Sequence, residues 1–221
     1  MPSGLHRYQQ CGDLHFLTFS CFHRFGYLSH PAARDMFETA LERIRKRFQW
    51  AVLGYVVMPE HVHLLANEPR RALLSTAIQA LKLSVVRRRP ERPFWQERYY
   101  DFNLHSADKT TEKLRYIHRN PVNRGLVTKP EDWLWSSFNH YKTGVEGRVE
   151  IESFWTQWRR EHGGKLLDRT TVPVECPRYP GSQNRDPGHP NVNAKSASQD
   201  PGHPPVLVDA AAKGESDPQN L

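Results

Sequence analysis

Two histidines one residue apart, His61 and His63, stand in the run V-V-M-P-E-H-V-H-L-L-A-N from Val56 to Asn67. Apolar stretches on either side of Met58-Pro59-Glu60 have the form of a short two-stranded hairpin. Side chains alternate across a strand, so both imidazoles project from one face while Val62 and Leu64 project from the other. Neighbouring neutral imidazoles can share one divalent cation. With 12 histidines in the chain, an H-x-H also arises by chance, and an ordinary solvated pair is the rival reading. Farther on, L-R-Y-I-H-R-N-P-V-N-R-G-L-V (Leu114 to Val127) reads as helix up to Asn120, because Pro121 disfavours helical backbone in the residue before it. At about 100° per residue, Tyr116 and Asn120 lie one turn apart on a shared face, with Leu114 and Ile117 roughly opposite. A phenol hydroxyl can attack a phosphodiester, and an amide oxygen one turn away can complete a metal site begun by two histidines. The constellation would be His61, His63 and Asn120 around the ion, with Tyr116 as nucleophile. Asn120 equally suits a helix C-terminus, and Tyr116 an interfacial ring with a wet hydroxyl.

The elements that must position these residues follow from periodicity. Leu14 to Phe19 reads as a first strand. Ser29 can cap a helix, Pro31 suits its first turn, and Phe37, Leu41, Ile44 and Phe48 mark its apolar stripe. The strand from Ala51 to Val57 and its partner through His61 and His63 come next. A second helix from about Leu73 carries Leu74, Ile78, Leu81 and Val85 inward and is stopped by Pro90 and Pro93. Phe94 to Leu104 has the aromatic content of a further strand. Strand, helix, strand, strand, helix, strand is the order of an α+β, ferredoxin-like split βαβ fold: an antiparallel sheet with two helices on one face and the other face open. His61 and His63 fit the open face, because the Val62 and Leu64 side meets the helices. A third helix runs from about Ser106 to Asn120, and Trp133, Trp135, Phe138 and Tyr141 dock a C-terminal helical addition, closed by a short helix with Phe154, Trp155 and Trp158.

Composition bounds the partner and the domain count. The 221 residues have a net charge of +7, divided as +9 over residues 1–169 and −2 over residues 170–221. The basic part is the folded part, and its natural partner is a polyanion such as nucleic acid. Cys11, Cys21 and Cys176 form no C-x-x-C pair, which suits a reducing cytosol and excludes a cysteine-rich zinc module. There is no apolar leader and no run near the roughly 20 residues of a membrane span, so a cytoplasmic protein with no membrane partner is expected. From about Thr170 nine of the 17 prolines occur, D-P-G-H-P appears twice, and Phe, Trp, Ile and Met are absent. The expected division is a folded domain over residues 1–165 and a disordered Pro/Gly-rich tail over residues 170–221.

Four linked motifs, V-V-M-P-E-H-V-H-L-L, W-Q-E-R-Y-Y-D-F, L-R-Y-I-H-R-N-P-V-N-R-G-L-V and W-L-W-S-S-F, in this order and spacing, resemble the IS200-like single-tyrosine transposases, and among them most the REP-associated branch. The similarity runs from about Tyr8 to Tyr141 and is looser around Arg7 and Tyr8. The resemblance implies an HUH endonuclease fold in which His61 and His63 match the metal pair, Tyr116 the nucleophile, and Asn120 a third ligand where other members carry glutamine. It further implies DNA transposition by transesterification on single-stranded or hairpin DNA through a 5′-phosphotyrosine. Members proper of the IS200-like family act as homodimers that share sites, and the REP-associated branch as monomers, so the resemblance allows either state.

The cofactor expected is a divalent metal, Mg²⁺ or Mn²⁺. Two nitrogens and an amide oxygen suit Mn²⁺, and phosphate and water oxygens make Mg²⁺ workable. Arg43, Lys46 and Arg47, with Arg87, Arg88 and Arg89, are candidates for DNA-backbone contacts, or are simply solvated. Trp95, Tyr99 and Tyr100 are candidates for base stacking or for core, and Tyr99 and Tyr100 are rival nucleophiles. Two other functions compete. One is a non-catalytic nucleic-acid-binding module of RNA-recognition type, although its aromatic strand is not evident; the other is a metal-dependent hydrolase that uses water.

Overall fold

Alternation in L-H-F-L-T-F-S builds the strand around which the others assemble. In β1 (Leu14–Ser20) Leu17 and Phe19 point to one side, Phe16 and Thr18 to the other. The computed structural model describes residues 13–164. β1 is flanked by β3 (His61–Ala66) and β4 (Tyr100–Leu104), and β2 (Val52–Val57) pairs with the far side of β3, giving an antiparallel sheet of order β2-β3-β1-β4. This is the split βαβ arrangement, with α1 (Pro31–Phe48) and α2 (Leu74–Val86) as its crossovers. Their apolar stripes bury Phe37, Leu41, Ile44, Leu74, Ile78 and Leu81 against Leu17, Phe19, Val62 and Leu64. Each such side chain contributes roughly 1.5–3 kcal/mol by leaving water, before ordering costs.

The opposite face is covered over β2 and β3. α3 (Ala107–Asn123) lies over β2 and β3, and Leu114 and Ile117 join Phe16, Val56, Met58, Leu65 and Trp133 in a second core. Residues 135–137 then run along the outer edge of β2, where Val57 N donates to Trp135 O at 2.9 Å and Ser137 N to Tyr55 O at 3.0 Å. This covers an edge that would otherwise be free to pair. α4 (Phe138–Thr143) and α5 (Phe154–Glu161) complete the described chain.

Four expectations are corrected. The cap of α1 is His30, whose Nδ1 accepts from Ala32 N at 3.2 Å, rather than Ser29. Only Tyr100–Leu104 of the segment from Phe94 is a strand; before it, Gln96 N donates to Ser20 O and a single bridge joins Trp95 to Cys21, while Trp95 Nε1 donates to Lys82 O and Lys82 Nζ to Gln96 O, so the chain is held between the end of β1 and α2 without forming a continuous ladder. α3 does not stop at Asn120: Pro121 lies inside it, and Arg124 N still donates to Asn120 O at 3.0 Å before Gly125 turns the chain at φ +66. The fourth is the covered sheet face. The tail of residues 170–221 lies outside the described residues, as do Cys11 and Cys176; Cys21 is a free, buried thiol. No helix among the described residues is long and apolar enough to cross a membrane.

Where the C-terminal segment meets α1, Glu38 is 4% exposed and accepts from the Tyr55 hydroxyl at 2.8 Å. Burial pushes its carboxyl up to about 7, against the lowering effect of the Tyr55 hydrogen bond and of Arg148. Between the ordinary value of 4.5 and about 7 the folded chain holds a proton that the unfolded chain has released. Stability therefore falls as pH rises through that window, by an amount on the order of 3 kcal/mol. Glu38→Gln keeps an acceptor for Tyr55 and cannot ionise. Its melting temperature relative to the parent should increase steadily from about pH 5 to about pH 7; parallel pH profiles of the two proteins would show that no such proton is held.

Candidate active site

Both histidines of β3 face α3 and are buried, His61 at 0% and His63 at 2% exposure. Each has its Nδ1 engaged. His61 Nδ1 donates to Glu60 Oε1 at 3.0 Å, and His63 Nδ1 meets the Thr18 hydroxyl of β1 at 2.8 Å. A carboxylate can only accept, so a neutral His61 presents a lone pair at Nε2. That atom lies 3.0 Å from Nε2 of His63. The Thr18 hydroxyl can donate or accept, so His63 is free to carry its proton on either nitrogen. With the proton on Nδ1, two Nε2 lone pairs face each other, which is unfavourable without a cation between them. Burial raises the Glu60 carboxyl, but its hydrogen bond with His61 and the nearby Arg124 and Arg24 hold it down to about 2.

α3 brings the other half of the site. Asn120 Nδ2 lies 3.4 Å from His63 Nε2, and Asn120 Oδ1 is buried with no hydrogen-bond partner. A half-turn of the amide exchanges the two atoms and turns the orphaned oxygen toward the histidine pair. Tyr116, one turn earlier and half-buried, sets its ring edge-on to His63 at a centroid distance of 5.2 Å and to Phe16 at 6.0 Å. The helix is fixed at three points. Arg124 donates to Glu60 Oε1 at 2.9 Å. His118, fully buried and pushed by burial down to about 3, meets the Ser137 hydroxyl at 2.7 Å. Leu114 rests on Gly54 of β2 so closely that a Cβ at position 54 would lie 2.5 Å from Leu114 Cδ1. Among the described residues no group of three or more His, Cys, Asp or Glu side chains is arranged to hold a metal ion. A third protein donor beside the two imidazoles would be the Asn120 amide.

Residues 13–120 match the family described as "Transposase IS200 like". The matched segment ends on Asn120 and so contains His61, His63 and Tyr116. Over this segment the chain is similar to the IS200-like transposases. Two curated relatives agree. A putative REP-associated tyrosine transposase of Haemophilus influenzae is 25% identical over 118 residues, covering 47% of this chain and 67% of that protein. A REP-associated tyrosine transposase of Escherichia coli is 24% identical over 106 residues, covering 48% of this chain and 64% of that one. The alignments thus span about two thirds of the relatives' own lengths. The fold is similar to that of a solved REP-associated tyrosine transposase bound to a REP hairpin, with a TM-score of 0.58 and 22% identity, over 68% of this chain and 92% of that one.

In this IS200-like domain the rival aromatic residues are set apart from the histidines. Tyr99 packs toward the α1 and α2 core, where Trp95 is also buried. Tyr100 is on the histidine face but on β4, two strands from β3 and therefore roughly 10 Å away. The proposed DNA-backbone residues are not brought to the site either. Arg43, Lys46 and Arg47 are on α1 and Arg87, Arg88 and Arg89 follow α2, the layer on the other side of the sheet. Several of them have partners there: Arg43 with Ser84, Lys46 with Glu42, Arg47 over the Phe48 ring and Arg89 with Glu91.

The roles of Thr18, Phe16, Glu60 and Arg124 around the histidines were not read from the sequence. Glu60 was visible beside His61, but its link to Arg124 needed the tertiary structure. Thr18 and Phe16 become neighbours of His63 only through the register that pairs Thr18 with His63. Because α3 descends onto Gly54, Gly54→Ala should destabilise the IS200-like domain by about 1–2 kcal/mol in urea unfolding, with Gly54→Val costing more. If both unfold at the parental midpoint, the helix does not rest on the strand as described.

Proposed function

We propose that this transposase cuts and rejoins single-stranded DNA at hairpin-forming sequences by transesterification. The Tyr116 oxygen attacks the scissile phosphorus, a Tyr–O–P bond forms, the P–O3′ bond breaks, and the 3′ oxygen leaves as a hydroxyl. The phenol proton is lost to solvent and the departing oxygen gains one. A second 3′ hydroxyl reverses the step on another strand, so the bond energy is conserved and no nucleotide cofactor is consumed. The observation that carries this reading is the meeting of Tyr116 and Asn120 from α3 with His61 and His63 from β3 in one buried cluster.

His61 Nε2, His63 Nε2 and the Asn120 amide oxygen are the donors we assign to a divalent metal, Mn²⁺ or Mg²⁺. The orphaned Asn120 oxygen and the facing imidazole nitrogens support that assignment. When bound, such an ion would supply Lewis-acid stabilisation of charge on phosphate and favour the phenolate form of the attacking tyrosine. Glu60 and Thr18 orient the two rings from behind. Nucleophile and histidines come from the same chain, which favours action as a monomer. Hairpin DNA is the substrate class because the solved relative of similar fold is bound to a REP hairpin and the chain is basic. Arg43, Lys46, Arg47, Arg87, Arg88 and Arg89, remote from Tyr116, are assigned only to phosphate contacts outside the cleavage point.

The test is a denaturing gel of the full chain mixed with end-labelled hairpin DNA and Mn²⁺. A covalent protein–DNA band should form, disappear on chelation, and fall by at least about a thousandfold in Tyr116→Phe. Cleavage with free ends and no band would instead establish hydrolysis. Hairpin binding that survives loss of both His61 and Tyr116, with no cleavage by the parent, would establish a binding module.

A further inference from the structure

The sheet face that carries the histidines is only partly covered. α3 lies over β2 and β3, and the register leaves β4 beyond its far side. There Tyr100 and Phe102 project from the same face as His63, because Thr18 of β1 pairs with both His63 and Tyr100 and Phe16 pairs with Phe102. The Tyr100 and Phe102 rings are parallel within 3°, at a centroid distance of 6.5 Å. Phe102 is 42% exposed. Lys113 of α3 holds its ammonium 6.0 Å from the Phe102 ring, 5.3 Å from Phe16 and 5.8 Å from Tyr116, and its carboxylate neighbour is Glu112 at 3.8 Å. A half-buried Tyr100 ring parallel to the exposed Phe102 ring, with a cation at their border and beside the nucleophile, has the chemistry of a single-strand site: bases stack on the rings and a phosphate meets the ammonium. The aromatic strand that the sequence did not make evident is thus β4. A wet aromatic edge alone would not need Lys113, which the α3 crossing brings between the rings and Tyr116.

We propose that Tyr100 and Phe102 form a stacking platform for the bases of single-stranded DNA next to the scissile phosphate, with Lys113 on a backbone phosphate. The inference rests on the reading of Tyr116 as nucleophile only for which nucleotides occupy the platform. It is tested by fluorescence anisotropy of the full chain in EDTA, so that no cleavage intervenes. One labelled strand is an oligothymidylate and the other an abasic strand of equal length and charge. The parent should prefer the thymidylate by about tenfold or more. Phe102→Leu, which keeps apolar bulk at an exposed position, should lose most of that preference, and Phe102→Trp should restore it; abasic binding should be alike in all three. Lys113→Gln should flatten the salt dependence for both strands by about one phosphate contact.

A parent with no preference, or Phe102→Leu with an undiminished one, overturns the platform. An unchanged salt slope removes Lys113 from it. Covalent adduct formation on hairpin DNA is scored separately. An adduct together with full preference in Phe102→Leu sinks the platform alone, whereas lost preference with no adduct from the parent leaves the platform and sinks the nuclease reading.

Discussion

At Gly54 the backbone of β2 sends no side chain into the space where Leu114 rests, and α3 comes down onto the sheet at that point. The strand also bulges there, between Val52 and Gly54. The distances from α3 to the histidines depend on this approach. Leu114 and Ile117 bury against the sheet, and the helix face one turn on carries Tyr116 and Asn120 over His63. A helix held farther off by a larger residue would carry the same side chains without bringing them to the histidines. His118 with Ser137 and Arg124 with Glu60 act as stops at either side of the contact, so the helix neither slides along β2 nor lifts at its C-terminal end.

The polar cluster beneath the helix is expensive to keep. Two imidazoles and an amide are buried, and each unmatched buried polar atom costs about 1–3 kcal/mol. Thr18 and Glu60 engage the Nδ1 atoms, the two Nε2 atoms lie 3.0 Å apart, and the Asn120 oxygen is buried with no hydrogen-bond partner. Apolar residues at these places would fold at least as well. The divalent ion proposed above would use all three of these donors. Glu60 serves both needs, since it orients His61 and closes the ion pair that holds the end of α3.

Much of this was legible in the sequence because the relevant signals are local. Strand alternation put His61 and His63 on the face away from Val62 and Leu64, and helical spacing put Tyr116 and Asn120 together. What the sequence hid is register and tertiary approach. Nothing local says that Thr18 lies abreast of His63, that Phe102 lies beside Phe16, or that α3 closes the face expected to be open. Pro121 misled because its effect on the preceding residue was treated as a stop, whereas α3 continues to Asn123, where Arg124 and Gly125 then turn the chain. The basic residues of α1 and those that follow α2 lie on the layer away from the histidines. A charged outer face is dictated by solvation, and it says nothing about which side of the sheet a substrate approaches.

If one helix crossing creates one metal site from His61, His63 and Asn120, electron spin-echo measurements on the full chain loaded with Mn²⁺ read it without reference to activity. One bound ion should couple to two histidine nitrogens, with one coupling lost in His63→Ala and the affinity reduced in Asn120→Ala by roughly 10–100-fold. A bound ion with no nitrogen coupling, or two couplings that persist in His63→Ala, would contradict it.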